Sequence, residues 1–270
     1  MNQSDLWKMN LAIFNIGGKV KCVKYLLTRP EMFSSLKRNV DLINPEKKNK
    51  KAYVLALGPS LKDVDLNKVN GDTIVVNRFF KIGEKFPDFV PTYYIMADPL
   101  FGNPDHLADF HAAINMYASK GTIFILNSKL AKSPLLKDID KNHLFFITDI
   151  DGRVKVKKDY RIDKIFPAFQ NVTGSAILLL MLMGYKNISL LGCDFNSFAS
   201  TTRNHCYKDK SDARLYPMWE ELFAYSFAAK DHTDLQVIAE RKGVSIINST
   251  KGSLIDAYPK EIEEELYFHE

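Results

Sequence analysis

Cysteine is scarce in this sequence: 270 residues hold three, Cys22, Cys193 and Cys206, an odd number with no paired spacing, so no disulfide scaffold is indicated. Cys193, Cys206 and His205 also lack zinc-ligand spacing, and no metal site is expected. Long apolar runs are missing as well. The most apolar stretch, residues 176–183, is far too short to cross a hydrocarbon layer of roughly 30 Å. The first residues, MNQSDLWKMN, have neither the basic start nor the apolar run of a secretory signal, and this predicts a cytoplasmic protein. No internal repeat or low-complexity tract occurs. With 46% hydrophobic and 26% charged residues the chain is an ordinary globular one, and disorder, collagen and coiled coil are excluded. At roughly 150 residues per domain it holds one large domain or two small ones, either able to bury a core without staples.

Acidic residues are short in one region only. Residues 1–51 carry 11 Lys plus Arg against 4 Asp plus Glu, while the remainder is slightly acidic, so the net charge of +5 belongs to an N-terminal arm. There Leu6, Trp7, Leu11, Ile13, Phe14, Ile16, Val20, Val23 and Leu26 mix with Lys8, Lys19, Lys21 and Lys24. Two readings stand: amphipathic helices on an anionic membrane surface, or a segment packed on the body with solvated lysines. Gly17 and Gly18 are expected to interrupt one long helix. Nucleic acid is a poor partner, since the basic run has few interleaved aromatics.

Beyond the charged linker 45–51, short continuous apolar runs recur at 52–57, 73–76, 92–96, 122–126, 144–147, 188–191 and 244–247, with helical patterns at about 104–119, 172–184 and 217–242. Continuous apolar strands are expected where helices cover both faces of a parallel sheet. The predicted fold is therefore Rossmann-like α/β, mainly parallel. The predicted organisation is a basic arm at 1–50, a single nucleotide-binding domain at 51–259 and a tail at 260–270. Lid or insertion segments fall at about 149–171 and 196–216.

In an open parallel sheet, ligands bind beyond the carboxyl ends of the strands. After the first strand comes Gly58-Pro59-Ser60-Leu61, where Gly permits close backbone approach and Ser60 either caps a simple turn or offers amides to a phosphate. Asn77 and Arg78 follow the second strand, Asp98 and Pro99 the third, and Gly192-Cys193-Asp194-Phe195 the sixth, with Asn196 next. Each alone is a common turn residue. Together they suggest a nucleotide cleft. The apolar helix that opens with Asn171-Val172-Thr173-Gly174-Ser175 must be buried, and its first amides need an acceptor, either Thr173 itself or an anionic phosphate.

These residues resemble a known family. GPSL at 58–61, VVNRF at 75–79, YYIMADPLF at 93–101 and TGSAILLLMLMGYKNISLLGCDF at 173–195 look like the bacterial sialyltransferases that use CMP-sialic acid. The related bacterial glycosylation proteins named after 6-hydroxymethylpterin diphosphokinase share these landmarks. That group adds a His-aromatic motif, here Asn204-His205-Cys206-Tyr207, and an Asn-x-Thr, here Asn248-Ser249-Thr250. The resemblance covers about residues 53–259. It implies a glycosyltransferase A-like variant of the fold and an enzyme, inverting and metal-independent, that moves a sugar from a nucleotide-activated donor, CMP-linked by preference. The acceptor it implies is a glycan or lipid-linked acceptor of the bacterial surface, as in lipopolysaccharide or capsule biosynthesis. Asn77 maps to the family's donor-binding Asn. Asp98 replaces the Asn after the third strand, and Asn196 replaces the Tyr that follows G-x-D-F. The family's catalytic His falls at Ala229.

A general base for a sugar hydroxyl needs a pKa near the operating pH, which His supplies most often. His205, in a polar loop among Arg203, Asn204, Tyr207 and Lys208 on the ligand edge, is the first candidate, with Asp98 as the carboxylate alternative and His232 as backup. His232 is expected at a helix bend. The donor-binding set is Gly58, Pro59, Ser60, Asn77, Arg78, Asp98, Thr173, Gly174, Ser175, Asp194 and Asn196. Asp149-Ile150-Asp151 and Asp138-Ile139-Asp140 have the spacing of the metal-binding pair of metal-dependent sugar-nucleotide transferases; they are expected beside Lys-rich loop sequence away from the strand edge and stand as the weaker alternative. No cofactor is needed beyond the nucleotide-sugar co-substrate; Mg²⁺ is compatible but not required. Two further readings are pyrophosphoryl transfer to a pterin, with ATP and Mg²⁺ on Asp98 and Asp194, and a nucleotide-binding assembly partner without chemistry.

Overall fold

The computed structural model describes residues 3–98, 101, 103–201, 205–208 and 216–268, with side chains from residue 8 onward. Pro99, Arg203, Asn204 and parts of the predicted 196–216 segment lie outside the described residues, as do the side chains of Leu6 and Trp7.

Seven strands form one sheet: β1 Lys51–Leu55, β2 Asp72–Val76, β3 Tyr93–Met96, β4 Ile123–Asn127, β5 Leu144–Ile147, β6 Asn187–Leu191 and β7 Ser245–Asn248. All pairs are parallel and the order is β5-β4-β3-β2-β1-β6-β7. The order reverses beside β1, so the β1/β6 edge is the topological switch point of an α/β sheet. The helices are α1 Gln3–Thr28, α2 Glu31–Ser34, α3 Phe80–Gly83, α4 Leu107–Tyr117, α5 Val172–Met183 and α6 Met218–Lys242.

The strands read as unbroken apolar runs because both faces are covered. Val54, Ile95 and Ile125 point into one core with α5 and α6, while Leu55, Met96 and Leu126 point into the other with Phe79, Phe110 and Tyr117. Helix α5 is apolar all round because it lies between the sheet and α6; ten of its twelve residues are buried. The described residues of the 149–171 segment fold onto this face. There the buried Arg153 guanidinium pairs with Asp231 of α6 and donates to the carbonyls of Ala168 (2.8 Å) and Phe227 (3.2 Å).

Two expectations need correction. Gly17 and Gly18 do not interrupt α1, because Gly18 is held where the helix touches the body: a Cβ there would lie 2.2 Å from the Gly152 nitrogen. Nor is α6 interrupted at His232, which sits fully buried inside one continuous helix. The C-terminal residues are also tied down. Glu263 accepts from Lys51 Nζ (2.5 Å), Tyr53 (2.9 Å), Ser189 (2.7 Å) and Ser249 (3.0 Å), which joins the tail to β1 and β6.

Candidate functional site

Two adjoining cavities run along the carboxyl edge of the sheet. The first, about 530 Å³, is formed beyond β3, β4 and β5 by Asp98, Asn127, Lys129, Asp149 and Gln170, among others. The second, about 210 Å³, lies at the β1/β6 switch point, lined by Gly58, Asp194, Asn196, His205, Tyr225 and His232, among others. Asn77, Asn171 and Val172 line both, so the junction is the end of β2 together with the start of α5.

The junction is chemically prepared. Asn77 adopts a left-handed backbone (φ 47°), which Asn tolerates better than most residues, with its amide donating to Ile95 O (3.0 Å) and its carbonyl accepting from Tyr94 (2.7 Å). Its side-chain Oδ1 is buried with no hydrogen-bond partner. Asn171 caps α5 by accepting from the Gly174 amide at 3.1 Å. The cap is therefore Asn171 and not Thr173, which instead lines the second cavity. The amides of Val172 and Thr173 belong to the first turn and have no intrahelical acceptor, leaving the positive end of the helix dipole at the junction. Gly174 lies against Phe169, and a Cβ there would come within 2.5 Å of that ring; Ser175 is buried below it with its hydroxyl unpaired.

The β1 turn is stapled to β6. Both Asp194 oxygens accept from Ser60, one from the amide (3.0 Å) and the other from the hydroxyl (2.8 Å). Gly58 is required by close approach, since a Cβ would meet Asp194 Oδ2 at 2.0 Å, and its amide donates to Gly192 O (2.8 Å). The expectation that Ser60 offers its amide to a phosphate is therefore corrected: that donor is taken, and Gly58, Pro59 and Ser60 shape the wall. Asn248-Ser249-Thr250 braces the same edge, with Thr250 Oγ1 accepting from the Cys193 amide (3.0 Å). Burial, more than any neighbour, raises the Asp194 pKa against the hydrogen bonds from Ser60. Arg78 lies apart from both cavities and is engaged with Asp109 (2.7 Å) and His106 (3.3 Å).

The first cavity holds a group that the sequence reading places elsewhere. Asp149 is not away from the strand edge but two residues past β5, half-buried beside Asp98, Asn127 and Lys129. The surrounding protein desolvates its carboxyl and pushes the pKa up to about 7, with the Asp98 charge adding to the rise. Asn127 is held by donating to Ala97 O (2.6 Å). Asp98 and Asp194, which the pterin reading pairs on one Mg²⁺, line different cavities, and Asp194 is occupied by Ser60. Among the described residues no group of three His, Cys, Asp or Glu is arranged to hold a metal.

The two histidines differ in surroundings. His205 is exposed, stacked on Tyr207 (5.1 Å between centroids), and lines the second cavity as well as a neighbouring basic cleft with Lys62, Lys81, Lys85 and Lys208. The Cys206 amide anchors this loop on Leu57 O (3.0 Å). His232 is 1% exposed, with Nδ1 3.0 Å from the Tyr258 hydroxyl, and burial pushes its pKa down to about 4. Its Nε2 has no partner, and the ring forms the floor of the second cavity beneath Phe195. Phe195 itself takes a left-handed backbone (φ 60°) that sets its ring against Tyr225 at 4.6 Å. Sequence reasoning does not single out Asn127 or Tyr225 and places Asp149 away from the strand edge; the position of Asn127 at the end of β4 and of Asp149 two residues past β5 is the signal that points to them.

No protein-family model matches the chain, and no curated protein matches it in sequence. Among solved structures it is similar to the sialyltransferase CstII from Campylobacter jejuni in complex with a substrate analogue, cytidine-5'-monophosphate. The identity is 15% over 82% of this chain and 88% of that one, with a TM-score of 0.49. It is also similar to the monofunctional α-2,3-sialyltransferase Cst-I from the same organism, at 13% identity over 84% and 85% of the two chains, again with a TM-score of 0.49.

Proposed function

We propose that this chain is a glycosyltransferase that moves a sugar from a nucleotide-activated donor, CMP-linked by resemblance, to a hydroxyl of a glycan or lipid-linked acceptor of the bacterial surface. The observation that carries the reading is the pair of cavities that meet at Asn77 and the start of α5. In this reading the nucleoside occupies the larger cavity, where Asp98 and Asn127 offer hydrogen bonds to ribose or base. The phosphate sits at the junction against the first amides of α5, a position that favours an anion. The sugar extends into the smaller cavity.

The acceptor oxygen then attacks the anomeric carbon from the face opposite the phosphate. Its proton passes to His205, the new C–O bond forms, and the anomeric C–O bond breaks with its electron pair leaving on the nucleotide, so configuration inverts. The chain contributes by positioning both partners, by stabilising the charge on the departing phosphate, and by accepting the proton. The reading needs no metal. It suits a protein working at the inner face of the cytoplasmic membrane, where nucleotide sugars and lipid-linked acceptors meet.

Melting curves with CMP-, UDP- and GDP-linked sugars test the donor, followed by turnover with a radiolabelled donor. A CMP-linked sugar should raise the melting temperature most. If no sugar nucleotide or free nucleotide shifts it, the reading fails.

A further inference from the structure

Helix α1 carries two stripes on opposite sides. Leu11, Asn15, Gly18, Cys22 and Tyr25, spaced by four and three residues in turn, are buried or half-buried and face the body. Asn15 Oδ1 accepts from the Arg153 amide (3.1 Å), Cys22 lies over Ile150 O, and Gly18 meets the Gly152 backbone. The opposite stripe, Met9, Ile13, Ile16, Val20, Val23 and Leu27, keeps the same spacing and is exposed throughout, with Ile16 and Val20 each 62% open. Ordinary surface helices place polar residues there. The first turns of α6 add to the patch: Met218, Trp219, Leu222 and Phe223 are exposed, Trp219 by 69%, and Phe223 and Phe14 both pack on Phe227, which sets the two helices side by side.

We infer that the outer face of α1, together with the start of α6, docks on an anionic lipid bilayer. Charge selects this occupant. From residue 8 to residue 28 the helix has no Asp or Glu, while Lys19, Lys21 and Lys24 stand exposed beside the apolar stripe. Glu220 and Glu221 of α6 are half-buried, unlike the exposed apolar residues of the patch. An apolar stripe edged by lysines, with aromatic rings at one end, suits a helix lying in the plane of an anionic interface. A second copy of this chain fits less well, because parallel pairing through the stripe would set Lys19 of one helix against Lys24 of the other. No helix among the described residues is long and apolar enough to cross a membrane, so the contact is one of lying on the surface. The loop clamped by α1, 150–153, leads directly from Asp149, so the docked helix braces a wall of the larger cavity. The inference does not depend on what that cavity binds.

Sedimentation of the full chain with vesicles tests it, using phosphatidylcholine alone and phosphatidylcholine mixed with phosphatidylglycerol. The protein should sediment with the mixed vesicles and far less with the neutral ones. Replacing Lys19, Lys21 and Lys24 together by Gln should weaken that binding about a hundredfold, at ~1 kcal/mol per lysine and tenfold per 1.4 kcal/mol. Val20→Glu should weaken it roughly tenfold while circular dichroism and melting temperature stay unchanged. No binding to the anionic vesicles overturns the inference. So does equal binding to both vesicle types, or a dimer in light scattering that Val20→Glu dissociates without any vesicle binding.

Discussion

Asp194 accepts from Ser60 twice, through the amide at 3.0 Å and through the hydroxyl at 2.8 Å, and so ties the turn after β1 to the end of β6. Both residues are buried. Asp194→Ala strands two buried donors and should cost roughly 2 to 4 kcal/mol in urea unfolding, whereas Asp194→Asn, which still accepts from the amide, should cost less than half as much. A variant that loses donor affinity at unchanged stability would mean that Asp194 touches the ligand instead.

At the junction of the cavities, Asn77 combines an unpaired buried Oδ1 with a left-handed backbone, and the two properties can be separated. Asn77→Gly keeps the backbone and removes the amide, so the fold should hold while donor affinity falls by about 1 to 3 kcal/mol. Asn77→Ala should lose the same affinity and also some stability, because Ala is strained at positive φ. Asp98→Ala should weaken donor binding by a similar amount. Calorimetric titration with a CMP-linked sugar reads all three; unchanged affinity in each would mean that the cleft lies elsewhere.

The pH dependence should centre on Asp149. Burial raises its pKa from the ordinary 3.8 to about 7, so the folded state holds a proton that the unfolded chain has already released. The favourable contribution is complete below pH 4 and is lost as pH rises through about 7. Asp149→Asn should therefore be more stable than the parent above pH 7, by on the order of 1 to 3 kcal/mol after allowing for solvent screening, and no different near pH 4. In the parent, ionised Asp149 beside Asp98 also repels an anionic donor, so donor KM should climb above pH 7 and stay flat in the variant. A KM that climbs equally in both would remove Asp149 from the donor site.

How much of this was legible in sequence depends on how local the cause is. Every strand was visible, because a strand covered on both faces leaves a continuous apolar run such as 52–57, and α5 was visible for the same reason. The placement of Asn77, Asp98 and Asp194 along the cavities was legible from the general rule that ligands gather beyond the strands. Asp149 was hidden by the Lys-rich loop behind it, because its pKa is raised by burial among residues distant in sequence and adjacent in space, with the charge of Asp98 adding to the rise. Likewise Gly18 in α1 reads as a helix breaker until Gly152, 134 positions later, is seen against it. That Asp194 binds Ser60 was equally invisible, since nothing in either turn marks its partner.

The last prediction separates the two histidines. His232 is buried with its Nδ1 on Tyr258, and its pKa near 4 leaves it neutral at ordinary working pH, where it has little capacity to hold a proton taken from an acceptor. Because that pKa is depressed, its contribution to stability is present above pH 6.5 and lost as pH falls through about 4. His232→Phe, which fills the same space, should cost roughly 1 to 2 kcal/mol near neutrality for the orphaned Tyr258 hydroxyl. It should lose less further stability than the parent on acidification, and retain most of its turnover. His205 is exposed and lines the smaller cavity, so a proton it accepts can pass to water after each cycle. His205→Ala should lower kcat by 10²- to 10⁴-fold with donor affinity and melting temperature unchanged. The reverse pattern, with turnover lost in His232→Phe and kept in His205→Ala, would move the base to α6 and make the unpaired Nε2 of His232 the proton acceptor.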